Sequence, residues 1–136
     1  MAIVRAAENF KRVVSGIFRK YQLSFPQYNI LRVLDATEQG QSRITEVSRI
    51  MLVSSANMTG LAKRLEKSGF IQRKSDPSDE RVTLLKITPK GKTTLADIER
   101  ARDQLLEKML QGFSVQEKKN VLSLVRRLLR NTRQLG

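Results

Sequence analysis

The sequence predicts a mainly α fold with a small β wing, and three observations predict it. Apolar residues recur at intervals of three and four in six separate segments, the spacing of one helix face. Near the middle, two short helical segments are joined by a few polar residues, as in a helix-turn-helix. Directly after the second of these come a glycine stop at Gly69 and two β-rich runs around an acidic turn. The chain therefore reads as a winged helix-turn-helix over residues 25–92, with helical regions at 1–24 and 93–136, in one structural domain overall.

The first helix occupies residues 2–20, with Ile3, Val4, Ala7, Phe10, Val14, Ile17 and Phe18 on one face. Gly16 in its interior weakens it by about 1 kcal/mol relative to Ala. Ser24 and Gln27 are the two halves of a capping box for the second helix. Pro26 fits the first turn of that helix, and Phe25, Tyr28, Leu31 and Leu34 form its stripe. Residues 36–42 are a polar connection holding Gly40, and only the piece around Arg43 and Ile44 suits an edge strand. The third helix opens on Thr45 as its capping residue and turns Val47, Ile50 and Met51 inward. Ser54 or Ser55 caps the fourth helix, where Met58, Leu61, Ala62 and Leu65 fall at i, i+3, i+4 and i+7.

Gly69 ends that helix. Residues 70–74 and 82–87 then read as paired strands, joined by a connection over 75–81 with turn chemistry in Asp76-Pro77-Ser78-Asp79. Leu84 and Leu85 are adjacent, so alternation leaves the strand faces open. Thr88-Pro89 starts a long helix that carries Gly91 in its first turn and runs to about residue 111. Gly112 breaks it, and Ser114 with Glu117 is a second capping box. The last helix has a broad stripe of Val121, Leu122, Leu124, Val125, Leu128 and Leu129. Three long amphipathic helices exceed what a small winged domain can cover. Pairing with a second copy through a two-fold interface would bury them, and an intramolecular bundle is the alternative.

Composition narrows the function. The chain has no Cys and no His, which removes disulfides, thiol redox sensing, thiolate metal sites and the commonest general base. No phosphate-cradling glycine loop or pocketed carboxylate pair stands in, so the expectation is a non-enzyme without cofactor or metal. No run of 18 apolar residues spans a membrane, and the N-terminus lacks a secretory apolar region, so the expected compartment is the cytoplasm. The net charge of +13 favours a polyanionic partner, bound with steep salt dependence. About +5 of it lies on residues 54–92 and about +6 on residues 100–136, where solvated helix faces are the plainer explanation.

The chemistry concentrates in residues 54–88. With its apolar side inward, the fourth helix shows Ser55, Asn57, Thr59, Gly60, Lys63, Arg64 and Lys67 outward. Asn pairs with adenine edges, Ser and Thr with several base groups, and Lys and Arg hold phosphates. Ser54 at the helix start and Arg73 on the first wing strand join this candidate DNA-binding set. The same face is equally what a solvated helix presents. Arg81, just after the turn, suits a narrow minor groove, whose negative potential attracts a guanidinium. Asp79 makes sense as the carboxylate that holds Arg81 extended, and otherwise as half of a surface ion pair.

The order of these motifs resembles the MarR family of bacterial winged-helix regulators. The resemblance rests on Asp76-Pro77-x-Asp79-x-Arg81, on Arg64-Leu65-Glu66-Lys67-x-Gly69 and on Leu85-x-Ile87-Thr88-Pro89-x-Gly91, and covers essentially the whole chain. It implies a homodimer with interlocked terminal helices, and one recognition helix per subunit in successive major grooves of double-stranded DNA. Arg81 becomes the minor-groove arginine and Asp79 its orienting partner, with Ser55, Asn57, Met58, Thr59, Lys63 and Arg64 along the DNA-facing helix. Periodicity, by contrast, places Met58 inward. The resemblance also implies a small aromatic or anionic effector in a cleft between winged region and dimer helices, for which Phe18, Tyr21, Tyr28 and Arg32 offer apolar walls and one cation. The same aromatics at helical spacing also read as core.

The expected function is a sequence-specific DNA-binding transcriptional regulator, most simply a homodimeric repressor of a pseudo-palindromic operator that a ligand releases. The competing expectation is a basic winged-helix module that docks to protein or structured RNA, favoured by the charge outside residues 54–92.

Overall fold

The structure, a computed structural model, describes residues 1–135 and forms two compact units, Met1–Arg102 and Asp103–Gly136. The first unit opens with α1 (Ala2–Lys20), of which only Val14 and Phe18 are buried. Ile3, Val4 and Ala7 of the predicted apolar face remain exposed and Phe10 and Ile17 are half-buried, so its N-terminal half has no full cover within this unit. Helix α2 (Phe25–Asp35) begins with the predicted capping box: Gln27 N donates to Ser24 Oγ at 3.3 Å and Ser24 N to Gln27 Oε1 at 2.9 Å. Tyr28, Ile30, Leu31 and Leu34 are buried, whereas Phe25 stays 48% exposed. Phe25 sits in the first turn, where the stripe runs off the core, and its ring leans on Phe18 and Tyr28 instead.

Strand β1 (Gln41–Arg43) is the predicted edge strand displaced toward the N-terminus, because Ile44 already belongs to α3 (Ile44–Met51). Arg43 is the N-cap of α3 and makes no side-chain cap bond there, so Thr45 does not cap it. The inward arc of α3 runs over Val47, Ser48 and Met51 and leaves Ile50 at its rim, 52% exposed, against the expectation that it packs inward. A left-handed Leu52 (φ 54°, ψ 44°) closes α3, with Val53 N donating to Ser48 O and Leu52 N to Arg49 O.

Helix α4 (Ser55–Lys67) is capped by Ser54, whose Oγ accepts from Asn57 N. Met58, Leu61, Ala62 and Leu65 are all buried, as their spacing requires. The helix ends on Gly69 at φ +79°, with Phe70 N bonded to Leu65 O and Gly69 N to Glu66 O. Strands β2 (Ile71–Asp76) and β3 (Asp79–Ile87) then form an antiparallel hairpin, in a sheet of order β1-β3-β2. Both strands run further than predicted and leave only Pro77 and Ser78 between them, because Asp76 folds its carboxylate back over the turn. Ile71, Leu85 and Ile87 are buried and Leu84 is half-buried, which settles the strand faces.

Helix α5 (Pro89–Met109) starts as predicted, with Thr88 Oγ1 accepting from Gly91 N. It buries Gly91, Leu95 and Ile98 and ends two residues short of 111. In the second unit, Gly112 (φ +86°) precedes α6 (Val115–Arg133), which carries the predicted Ser114–Glu117 capping box. Every residue of α6 is exposed, its Val and Leu side chains included. No helix among the described residues is long and apolar enough to cross a membrane.

Candidate nucleic-acid interface

With α4 locked by its buried side, Ser54, Ser55, Asn57, Lys63, Arg64 and Lys67 are exposed in one helical segment and Thr59 is half-buried. The Thr59 hydroxyl donates to Ser55 O at 2.9 Å, so its proton is already spent inside the helix. Among the described residues, Asn57, Lys63 and Arg64 side chains have no bonded partner, which leaves two amide edges and two cations available at a surface. Met58 is fully buried. It belongs to the core and is withdrawn from the candidate contact set, since a side chain that anchors α4 cannot also reach a groove.

Arg73 has a partner within the fold. Its Nε donates to Glu66 Oε2 at 2.7 Å and its backbone N to Glu66 Oε1 at 3.2 Å, so the side chain fastens the first wing strand to the end of α4. The hydrogen bond from Arg73 holds the Glu66 carboxyl below its usual range. Lys90 adds a second fastening, donating to Ser68 O at 2.7 Å with its ammonium over the Phe70 ring. Sequence reasoning missed both, because only the turn at Gly69 brings these residues together.

The wing tip is held from two sides. Asp76 is buried and accepts from Ser78 N (2.9 Å), Ser78 Oγ (2.7 Å) and Arg43 Nε (2.9 Å). The Ser78 bonds, with Arg43 beside them, depress its pKa. Arg43 thus ties β1 to the turn of the hairpin, a link for which the sequence carries no local signal. Further along, Asp79 accepts three bonds from Arg81: from its backbone N at 3.1 Å, from Nε at 3.0 Å and from a terminal guanidinium nitrogen at 3.1 Å. These bonds lower the Asp79 pKa and raise that of Arg81. The Arg81 side chain is nonetheless 90% exposed. A guanidinium is therefore presented to solvent in a fixed pose.

Three of the four predicted effector residues, Phe18, Tyr28 and Arg32, come together. Phe18 and Tyr28 stack with centroids 4.7 Å apart and are buried, and Tyr28 Oη accepts from Arg102 at 2.9 Å. Arg32 lies beside the Tyr28 ring and faces Glu99 at 3.8 Å. Phe18 also lines a hollow of about 420 Å³ with Ser15, Arg19, Gln22, Leu23, Ser24 and Phe25. Tyr21 instead lines a separate hollow of about 450 Å³ with Lys20, Lys67, Phe70 and Lys90. Among the described residues no three His, Cys, Asp or Glu side chains gather as a metal site.

The sequence profile of the MarR family matches residues 23–83. The chain is similar to the uncharacterized HTH-type transcriptional regulator YxaD of Bacillus subtilis (strain 168), 36% identical over 110 residues, which are 81% of this chain and 76% of the relative. A MarR family protein from Bacillus stearothermophilus has a similar structure, with a TM-score of 0.81 at 24% identity, covering 96% of this chain and 90% of that one. BpsR of Bordetella bronchiseptica, whose DNA binding is regulated by 6-hydroxynicotinic acid, aligns with a TM-score of 0.75 at 20% identity, covering 93% and 89%.

Proposed function

Because this chain belongs to the MarR family of DNA-binding, helix-turn-helix transcriptional regulators, we propose that it acts in the cytoplasm as a homodimeric repressor, covering a pseudo-palindromic operator. Residues 25–92 form the reading region, and residues 1–24 and 93–136 form the pairing region. In this reading α4 enters the major groove with Ser55, Asn57 and Thr59 toward base edges, while Ser54, Lys63 and Arg64 meet phosphates. Arg81 enters the adjacent minor groove.

The observation that carries the reading is the wing tip. An arginine held to one carboxylate by two guanidinium bonds and one backbone bond, with its side chain still 90% exposed, has paid its ordering entropy before it meets a partner. Support for pairing comes separately from α1 and α6, whose exposed Ile3, Val4, Val121, Leu124, Val125 and Leu128 are suited to burial against a second copy. The hollow at Tyr21, with its three lysines and two aromatic rings, is where a small anionic aromatic effector would bind, beside the end of α4.

Selection of bound duplexes from a random pool tests the reading. The expected result is an enriched inverted repeat with half-sites about one helical turn apart. Arg81→Ala should then weaken that site about ten- to a hundredfold, the worth of a good groove contact, while the protein stays folded. An unenriched pool together with unchanged Arg81→Ala binding in a gel-shift titration would reject it. Stronger competition by structured RNA than by duplex DNA at matched salt would favour a module that docks to RNA.

A further inference from the structure

We propose that α6 carries a second DNA-contacting surface, a stripe of Lys119, Arg126, Arg127, Arg130 and Arg133 that grips the sugar-phosphate backbone of duplex DNA without reading sequence. At 3.6 residues per turn these five cations fall within an arc of about 120° and span about 21 Å along the helix. That length matches about six base-pair steps of one strand. Lys119, Leu122, Ser123, Arg126 and Arg130 line one shallow hollow of about 300 Å³ along the helix.

Nothing on α6 neutralises the stripe. The single carboxylate of the helix, Glu117, lies off the arc and accepts from Ser114 N at 2.7 Å as part of the cap. None of the five cations is in an ion pair or hydrogen bond among the described residues. Six arginines of the Met1–Arg102 unit contrast with this, since Arg32, Arg43, Arg49, Arg73, Arg81 and Arg100 each face a carboxylate, although, among the described residues, Arg64 does not. Four of the five are Arg, whose planar fork takes two phosphate oxygens at once.

The stripe is set apart from most of the apolar side. Val121, Leu124, Val125 and Leu128 lie about 180° from it, so a chain that covers them leaves the cations in solvent, while Leu122 and Leu129 flank its edge. A lipid surface would take the same helix by its apolar side with the cations on the opposite face, and it is the competing outcome of the test. Phosphates spaced about 3.4 Å apart along a duplex strand match a straight row of cations. The choice of DNA as the polyanion rests on the DNA-binding reading above; the stripe itself is independent of α4 and the wing.

The test uses the full chain, a random-sequence duplex of about 40 base pairs, and the slope of log affinity against log salt concentration. Arg126→Gln/Arg127→Gln/Arg130→Gln should lower that slope by about 2 to 3 and weaken binding about tenfold or more, at about 0.9 per phosphate released. Far-UV circular dichroism and mass by light scattering should match the parent. Arg126→Lys/Arg127→Lys/Arg130→Lys should restore the slope, because charge is kept; a triple Lys variant as impaired as the triple Gln variant would mean a structural effect and overturn the proposal. If the triple Gln variant does not fold, Lys119→Gln/Arg133→Gln on the same arc carries the measurement. A Gln variant with the parent's slope and affinity would also overturn the proposal. So would Gln substitutions that abolish binding to phosphatidylserine-containing vesicles and spare the duplex. In either case an Arg81→Ala defect on a selected operator would leave the regulator reading standing.

Discussion

Gly91 is the point at which α5 and the root of the wing meet most closely, and replacing it with Ala tests that packing. A Cβ there would fall inside the contact distance of the Phe70 carbonyl oxygen, 3.2 Å from its carbon and 2.8 Å from Ile87 Cγ1. Ile87 can rotate; the Phe70 carbonyl cannot, because it accepts from Thr88 N at 3.0 Å and shares the Thr88 hydroxyl proton, at 3.0 Å, with Gly69 O at 2.7 Å. Overpacking costs about 1–3 kcal/mol and a weakened hydrogen bond about 1 kcal/mol, against about 1 kcal/mol regained from the helix preference of Ala. The net is a loss of about 2 kcal/mol, or a melting point lower by about 6–8 °C for a chain of this size. Gly16→Ala is the internal control, since nothing lies within 4 Å of its Cβ and the same helix preference should raise the melting point. Thermal and urea unfolding at one fixed protein concentration reads both. A Gly91→Ala melting point at or above the parent's would refute the claim of close approach.

Three further outcomes follow from the same geometry. Leu52 is 92% exposed in a left-handed conformation that glycine occupies without strain, so Leu52→Gly should stabilise the chain by about 0.5–1 kcal/mol in urea unfolding, and a lower midpoint would contradict this. Arg73→Ala should lower stability by about 1 kcal/mol, solvent screening of the half-exposed pair with Glu66 limiting the effect, and should leave the salt dependence of DNA binding unchanged; a reduced salt slope would return Arg73 to the phosphate contacts. Glu66, Asp76 and Asp79 all have depressed pKa values in the folded chain, so their stabilisation is complete above the unfolded values near about 4 and is lost as pH falls through the folded ones. The urea midpoint should therefore be flat from about pH 7 to pH 5 and fall below about pH 4, less steeply in Asp76→Asn; a midpoint that rises on acidification would exclude this linkage.

What could be read in advance was whatever depends on neighbours a few residues apart. The Ser24–Gln27 and Ser114–Glu117 boxes, the Gly69 stop and the i, i+3, i+4, i+7 stripe of α4 are local, so the linear pattern is the cause of the structure. The Asp79–Arg81 pair belongs to the same class, two residues apart on one strand. Phase and distance decide the rest. Ile50 and Phe25 have the right spacing for burial but lie at the edges of their arcs, and spacing alone does not say where an arc ends.

Only the tertiary structure could decide partnerships across the chain. Arg43 meets Asp76 across 33 positions, Arg102 meets Tyr28 across 74, and Glu66 claims Arg73 through the turn at Gly69. The sequence by itself determined the elements, the polar outer face of α4 and the Asp79–Arg81 pair at the wing tip, because propensity, capping and periodicity act over one or two turns. Which cations are spent on carboxylates, and which stay free, was decided by folding, because charge pairing follows distance in space and not distance along the chain.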